Sequence, residues 1–192
     1  MLAVEPGLRE RKKRETRSRI VGAAFALFQS RGYDQTTLQQ IAERAEVAPR
    51  TVSNYFAQKV DLLVAYREDM LAVVEAELGQ AAGRAPLAAV REALVAVALA
   101  NERHPNGRLA QRLLLRHASY RALDAIQERF RADLAQALAG APLRPGVDLE
   151  LAVLALTAAH MAVIQRWAAR SGGSLAGQVE RLFDLWTRGV VV

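Results

Sequence analysis

The chain is predicted to be all-α: an N-terminal three-helix domain, a C-terminal helical bundle, and about nine helices in all. Apolar residues recur three and four apart from Ile20 to Trp186. No stretch alternates as a strand does, and no internal repeat is present. Glycine and proline gather between the periodic stretches, at 83–86, 104–107, 140–146 and 171–173, as helix punctuation.

The first stretch opens with a basic arm, Arg9, Arg11, Lys12, Lys13 and Arg14, continued by Arg17 and Arg19. Residues 1–8 are expected to be disordered. The helix that follows uses Ile20, Ala24, Leu27 and Phe28 as its buried stripe, and Gly32 ends it as a C-cap residue would. The arm reads either as a solvated helix start or as a segment approaching phosphates or a minor groove.

Residues 36–59, TTLQQIAERAEVAPRTVSNYFAQK, carry the sharpest pattern. Thr37 with Gln40 has the spacing of a capping box. Leu38, Ile41, Ala42 and Ala45 turn one face inward, and Glu46-Val47-Ala48 breaks the helix, with Val47 plugging the junction. Pro49 suits the first turn of a second helix, where its missing N–H is no loss. Val52 and Phe56 point inward; Arg50, Thr51, Ser53 and Asn54 point out. This is the arrangement of a helix–turn–helix, whose second helix enters the DNA major groove. Two short amphipathic helices also occur in any α-protein. Charge favours the first reading. The chain of 192 residues carries +6: through residue 60, eleven basic residues stand against six acidic ones, and beyond it fifteen against fourteen. Phosphate neutralisation requires such an excess near the contact.

A long helix is expected from about Gln58 to Gln80, with Leu62, Leu63, Tyr66, Met70, Val73, Val74 and Leu78 at helical spacing and no Gly or Pro until Gly79. Pro86 starts a helix reaching about Arg103. A helix over 108–118 buries Leu109, Leu113 and Leu114, and another to about Ala139 uses Leu123, Ile126, Phe130, Leu134 and Leu138. Asp148 caps a helix to about Arg170 that is apolar on two faces and is expected to be buried on both. Ser174 caps the last, to about Arg188. The most apolar run, 151–164, is read as too short to span a bilayer, and the N-terminus as no signal peptide. The expected setting is the cytoplasm, without a membrane. The chain has no cysteine and three scattered histidines, so no metal site is expected.

Residues 10–63 resemble the TetR family of one-component bacterial regulators. The resemblance rests on the helix over 20–31, then Gly32-Tyr33-Asp34, Thr36-Thr37-Leu38, Ile41-Ala42, Val47, Thr51-Val52, Tyr55-Phe56, Lys59 and Leu62. It implies nine helices, boundaries at 9–57 for DNA binding and 58–192 for ligand binding and dimerisation, and a repressor released by a small molecule. The C-terminal part looks somewhat like the branch of mycofactocin-type and acyl-CoA-responsive regulators. Carried over by position, Gln39, Pro49, Arg50 and Ser53 match places that face bases. Thr37, Thr51, Tyr55 and Lys59 match places that hold phosphate, and Asn54 shares the outer face. Arg50 can pair bidentately with a guanine through its donors, and Gln39 with an adenine through one donor and one acceptor. Three departures stand out: Glu46 replaces the usual turn glycine, Ala48 the usual Ser or Thr cap, and Ser53 a common aromatic residue.

The expected partners are a double-stranded palindromic operator, an unknown small molecule and a second copy of the chain; no cofactor is expected. Ligand candidates are polar or soft residues on otherwise apolar faces: Tyr66, Met70, His117, Tyr120, His160, Gln165 and Trp167. Plain packing is the alternative for each, and for His160 a bond to a backbone carbonyl. The expected dimer face takes Leu154, Ala158, Met161 and Gln165 from one helix and Leu175, Val179, Leu182 and Trp186 from the next. No Gly-rich phosphate loop, His-Glu-x-x-His or Gly-x-Ser-x-Gly is present, so an enzyme is not expected. A LacI-type headpiece fits less well, since a long helix precedes the motif and no α/β pattern follows. The competing reading is a helical sensor dimer whose weakened helix–turn–helix barely binds DNA.

Overall fold

A computed structural model describes residues 7–192, apart from the side chain of Tyr120. The first six residues of the segment expected to be disordered lie outside that range; Leu8 is already helical. Among the described residues the chain is all-α, with nine helices: α1 (Leu8–Arg31), α2 (Leu38–Arg44), α3 (Pro49–Tyr55), α4 (Lys59–Gly79), α5 (Pro86–Arg103), α6 (Gly107–His117), α7 (Tyr120–Leu138), α8 (Leu149–Ala169) and α9 (Leu175–Val190). One isolated antiparallel bridge joins Leu143 to Val191. The chain divides into two compact units between Tyr66 and Arg67, inside α4 and not at its start.

The caps explain most helix ends. Gly32 closes α1 at φ 85°, its N–H bonded to the Phe28 carbonyl. Thr37 and Gln40 form both halves of the capping box. Asp148 Oδ1 accepts from the Glu150 and Leu151 amides, and Ser174 Oγ from Gly177. Each such cap satisfies amides that a helix start leaves unpaired.

In the first unit the core is Ile20, Ala24, Phe25 and Phe28 of α1 with Ile41, Ala42, Val52 and Phe56. Tyr66 belongs to this core, its ring 5.9 Å from that of Phe25.

The second unit is built around α8, which packs against α6, α7 and α9. Ala152, Val153, Leu156, His160, Ile164 and Trp167 face inward. The opposite stripe, Leu151, Leu154, Ala155, Ala158, Ala162 and Gln165, is exposed. The helix is therefore buried on one side within this chain, not on both. At 21 residues it is long and apolar enough to cross a membrane by length and composition, which corrects the length inferred from the apolar run alone. Much of that apolarity is spent on the bundle, and Thr157 and His160 are on its buried side. On α6 the buried residues are Ala110, Gln111 and Leu114, whereas Leu109 and Leu113 are half-buried. Gln111 faces inward because it donates to Asn101 Oδ1 at 2.7 Å, while Asn101 Nδ2 donates to the Val97 carbonyl at 2.8 Å. The buried amides thus satisfy each other.

Arg108, on the first turn of α6, ties down the α8–α9 turn. It donates to the carbonyls of Trp167 and Arg170, and to those of Gly172 at 3.0 Å and Gly173 at 3.4 Å. Its guanidinium lies 4.1 Å from the centre of the Trp167 ring.

Candidate nucleic-acid interface and ligand cavity

The turn between α2 and α3 is made by a residue in a strained conformation. Glu46 has φ 53°, the only non-glycine at positive φ among the described residues. Its amide bonds to the Glu43 carbonyl, and Val47's to that of Ala42. The geometry is the left-handed close of a helix, normally a glycine's place. Ala48 then precedes α3 with no side-chain cap, and Pro49 takes the first helical position.

This turn aims α3 so that Pro49, Arg50, Ser53 and Asn54 are exposed and Val52 is fully buried. Thr51 and Tyr55 are half-buried. Ser53 Oγ donates back to the Pro49 carbonyl at 3.3 Å. On α2, Gln39 is exposed and donates to Glu43 at 3.3 Å. Thr37 is spent as the cap, accepting from Gln40 at 3.2 Å. Lys59 is not a freely ranging surface cation. Its ammonium donates to the Tyr33 carbonyl at 2.7 Å and the Asp34 carbonyl at 3.3 Å, and lies 4.6 Å from the centre of the Tyr33 ring. Burial, then the charges of Asp34 and Asp61, raise the Tyr33 pKa, so its hydroxyl stays protonated at neutral pH.

The ligand candidates separate. Met70 and His160 meet in a cavity of about 20 Å³, lined also by Arg67, Leu71, Val74, Val97, Ile126 and Phe130. Gln165 lies instead in an open groove of about 350 Å³ between α7 and α8, which shares Arg67 and Phe130 with the cavity. Tyr66 is packed in the first unit, away from the cavity lining. Trp167 is buried beneath Arg108 and lines the groove at the α8–α9 turn, not the cavity. His117, half-buried at the end of α6, does not line the cavity either. The side chain of Tyr120 lies outside the described residues.

His160 is 2% exposed, and neither ring nitrogen has a hydrogen-bond partner. The carbonyl contact expected of a structural histidine is therefore absent from it. Its ring stacks obliquely on Phe130, centroids 5.6 Å apart. Burial, then the charge of Arg67, depress its pKa to about 3, so the imidazole is neutral near pH 7. Arg67 was missed by sequence reasoning. A lone arginine on a helix reads as solvated, yet it lies three residues from Met70 and four from Leu71 on one face.

The dimer candidates also divide. Leu154, Ala158 and Gln165 are exposed, and Met161 and Leu182 are half-buried. Leu175, Val179 and Trp186 are not available to a partner. They fill the bundle's own core, and Trp186 Nε1 donates to the Ala152 carbonyl at 3.0 Å. The face of α9 turned outward carries Leu185 instead, at 63% exposure.

A capped short helix, a left-handed turn and a second helix with an outward polar face make a helix–turn–helix of the kind that reads DNA, followed by a helical unit with its own cavity. The family model described as "Bacterial regulatory proteins, tetR family" matches residues 20–66, which span this motif. The transcriptional regulator TcmR of Streptomyces glaucescens is 43% identical over 96 residues, covering 48% of this chain and 41% of TcmR. The chain thus spans about two fifths of that relative's length. HbdR of Aromatoleum, also a transcriptional regulator, is 29% identical over 179 residues, covering 86% of this chain and 76% of HbdR. The crystal structure of FadR from Thermus thermophilus, a TetR-family repressor in complex with lauroyl-CoA, superposes with a TM-score of 0.69. It is 29% identical and covers 92% of this chain and 95% of FadR. Residues 20–66 of the chain thus match the tetR family of bacterial regulatory proteins, and the chain as a whole is similar to regulators that carry this motif.

Proposed function

We propose that the chain is a cytoplasmic repressor that binds a palindromic operator as a homodimer and releases it when a small molecule enters the second unit. The observation that carries this reading is the helix–turn–helix itself, with Arg50, Ser53 and Asn54 exposed on α3. In this reading Arg50, Ser53, Pro49 and Gln39 meet base edges, while Thr37, Thr51, Tyr55 and Lys59 bound the phosphate track. No catalytic role is assigned.

The exposed stripe of α8, with Leu182 and Leu185 of α9, is the face we assign to the second copy. Leu151 is 64% exposed and Leu154 48%, beside alanines that permit close helix approach. A twofold pair suits a palindromic operator, whose successive major grooves lie about 34–36 Å apart. A ligand lodged against Met70 and His160 would act through α4, a single helix shared by both units. Such coupling is typically about 1–3 kcal/mol.

Glu46 at φ 53° and the uncapped Ala48 favour a second reading, a sensor dimer with little specific DNA binding. Sequencing the genomic fragments retained by the purified protein at physiological salt separates the two. Enrichment of one inverted repeat supports the repressor. Weak, uniform recovery supports the sensor, because non-specific binding is electrostatic and indifferent to sequence.

A further inference from the structure

We infer that the second unit's ligand is an organic anion with an apolar body, its negative head held by Arg67 and an adjoining oxygen bonded to His160. The inference rests on the reading that this unit holds a ligand, and adds its chemical class.

Arg67 is 8% exposed and lines both the inner cavity and the outer groove. Its guanidinium donates to Met161 Sδ. Arg131 also borders the groove, paired there with Glu128, and among the described residues no carboxylate lines the inner cavity. A guanidinium matches a carboxylate or phosphate in shape as well as charge, and a cationic head would be repelled.

His160 supplies the second contact. A neutral imidazole has one donor and one acceptor, and here neither has a protein partner. Buried polar groups are ordinarily paired, so an unpaired ring facing a cavity marks where a ligand's polar atom belongs. The rest of the cavity wall is apolar: Met70, Leu71, Val74, Val97, Ile126 and Phe130. About 20 Å³ is room for roughly one water. A hydrocarbon body therefore requires this apolar wall to open, and unbranched Met70 is suited to adapt to it.

The test uses three probes of one chain length, decanoate, 1-decanol and decylamine, each below its aggregation concentration. Their binding to the full-length protein is measured by titration calorimetry. Decanoate should bind about tenfold or more tighter than decanol, with decylamine weakest. Arg67→Met should abolish the preference for the acid while leaving decanol within about twofold of its wild-type affinity. Arg67→Lys should retain the preference, which guards against Arg67→Met acting through misfolding. His160→Phe should weaken decanoate binding. Equal binding of acid and alcohol, or a preference that survives Arg67→Met, overturns the anion. If that equal binding is abolished when Val97→Trp fills the cavity, the ligand site stands and only its chemistry is wrong. If no probe binds, or if filling the cavity changes nothing, both fall.

Discussion

The ammonium of Lys59 is 2.7 Å from the carbonyl oxygen of Tyr33 and sits over the ring of the same residue. One cation at the start of α4 thereby pins the loop that leads into α2. The contact joins residues 26 apart in the sequence, at the base of the motif that α2 and α3 form. Lys59→Ala should lower stability by about 1 kcal/mol, the net worth of one charge-assisted bond and a partly exposed cation–π contact. Urea unfolding measures it, and a midpoint unchanged from wild type would leave the clip without energetic weight.

Glu46 is the converse, a residue that costs stability where it stands. A non-glycine at left-handed φ carries strain of about 1 kcal/mol or more. Glu46→Gly should therefore raise stability by about 0.5–1 kcal/mol, part of the relief being offset by the greater freedom glycine gives the unfolded chain. Glu46→Ala keeps the strain and should not. Removing the carboxylate should also tighten non-specific DNA binding slightly in both variants. Equal unfolding midpoints for the Gly and Ala variants would argue against backbone strain.

The exposed stripe on α8 predicts where association can be broken. Leu154→Arg or Ala158→Arg places a charge on the face assigned to the second copy, at positions that are exposed within this chain. Sedimentation should show monomers with an unchanged helical circular dichroism signal. Dimers that persist in both variants would move the interface off α8.

His160 predicts a pH dependence. Its pKa is near 3 in the folded protein against an ordinary 6.5, so between these values the unfolded chain binds the extra proton. Stability consequently rises with pH through that window and is lost as pH falls below about 6.5. From pH 7 to pH 5 the histidine alone should remove about 2 kcal/mol. Comparing urea unfolding of wild type and His160→Gln at the two pH values isolates it. A loss of equal size in both proteins would show that other groups carry the acid sensitivity.

Where a short polar side chain decides a helix end, the sequence is readable at single-residue precision. Thr37 with Gln40, Asp148 and Ser174 each cap the helix they were expected to cap, because a cap needs only its near neighbours. The left-handed turn was legible too, since the family pattern has glycine where Glu46 stands. What was not legible is which of two apolar faces meets the chain's own bundle. Leu175, Val179 and Trp186 have the periodicity of an interface and also that of a core, and only the neighbouring helices decide between them. Charged side chains hid two further contacts. Arg67 and Lys59 each have a long aliphatic stem that lets the head reach an acceptor within the chain, so Arg67 reads as surface and Lys59 as a phosphate cation until the partner is known.

The grip of Arg108 on the α8–α9 turn has a consequence for how this region can vary. Every hydrogen-bond acceptor it holds there is a backbone carbonyl, so those bonds do not depend on which side chains occupy Arg170 or Ser171. It does depend on how many residues separate Trp167 from Gly173. Drift at Arg170 or Ser171 should leave the anchor intact, whereas one inserted or deleted residue would slide the carbonyls out of register with the guanidinium, and Gly172 and Gly173 are held to glycine by their positive φ. The turn is thus fixed in length and, outside its glycine pair, comparatively free in spelling.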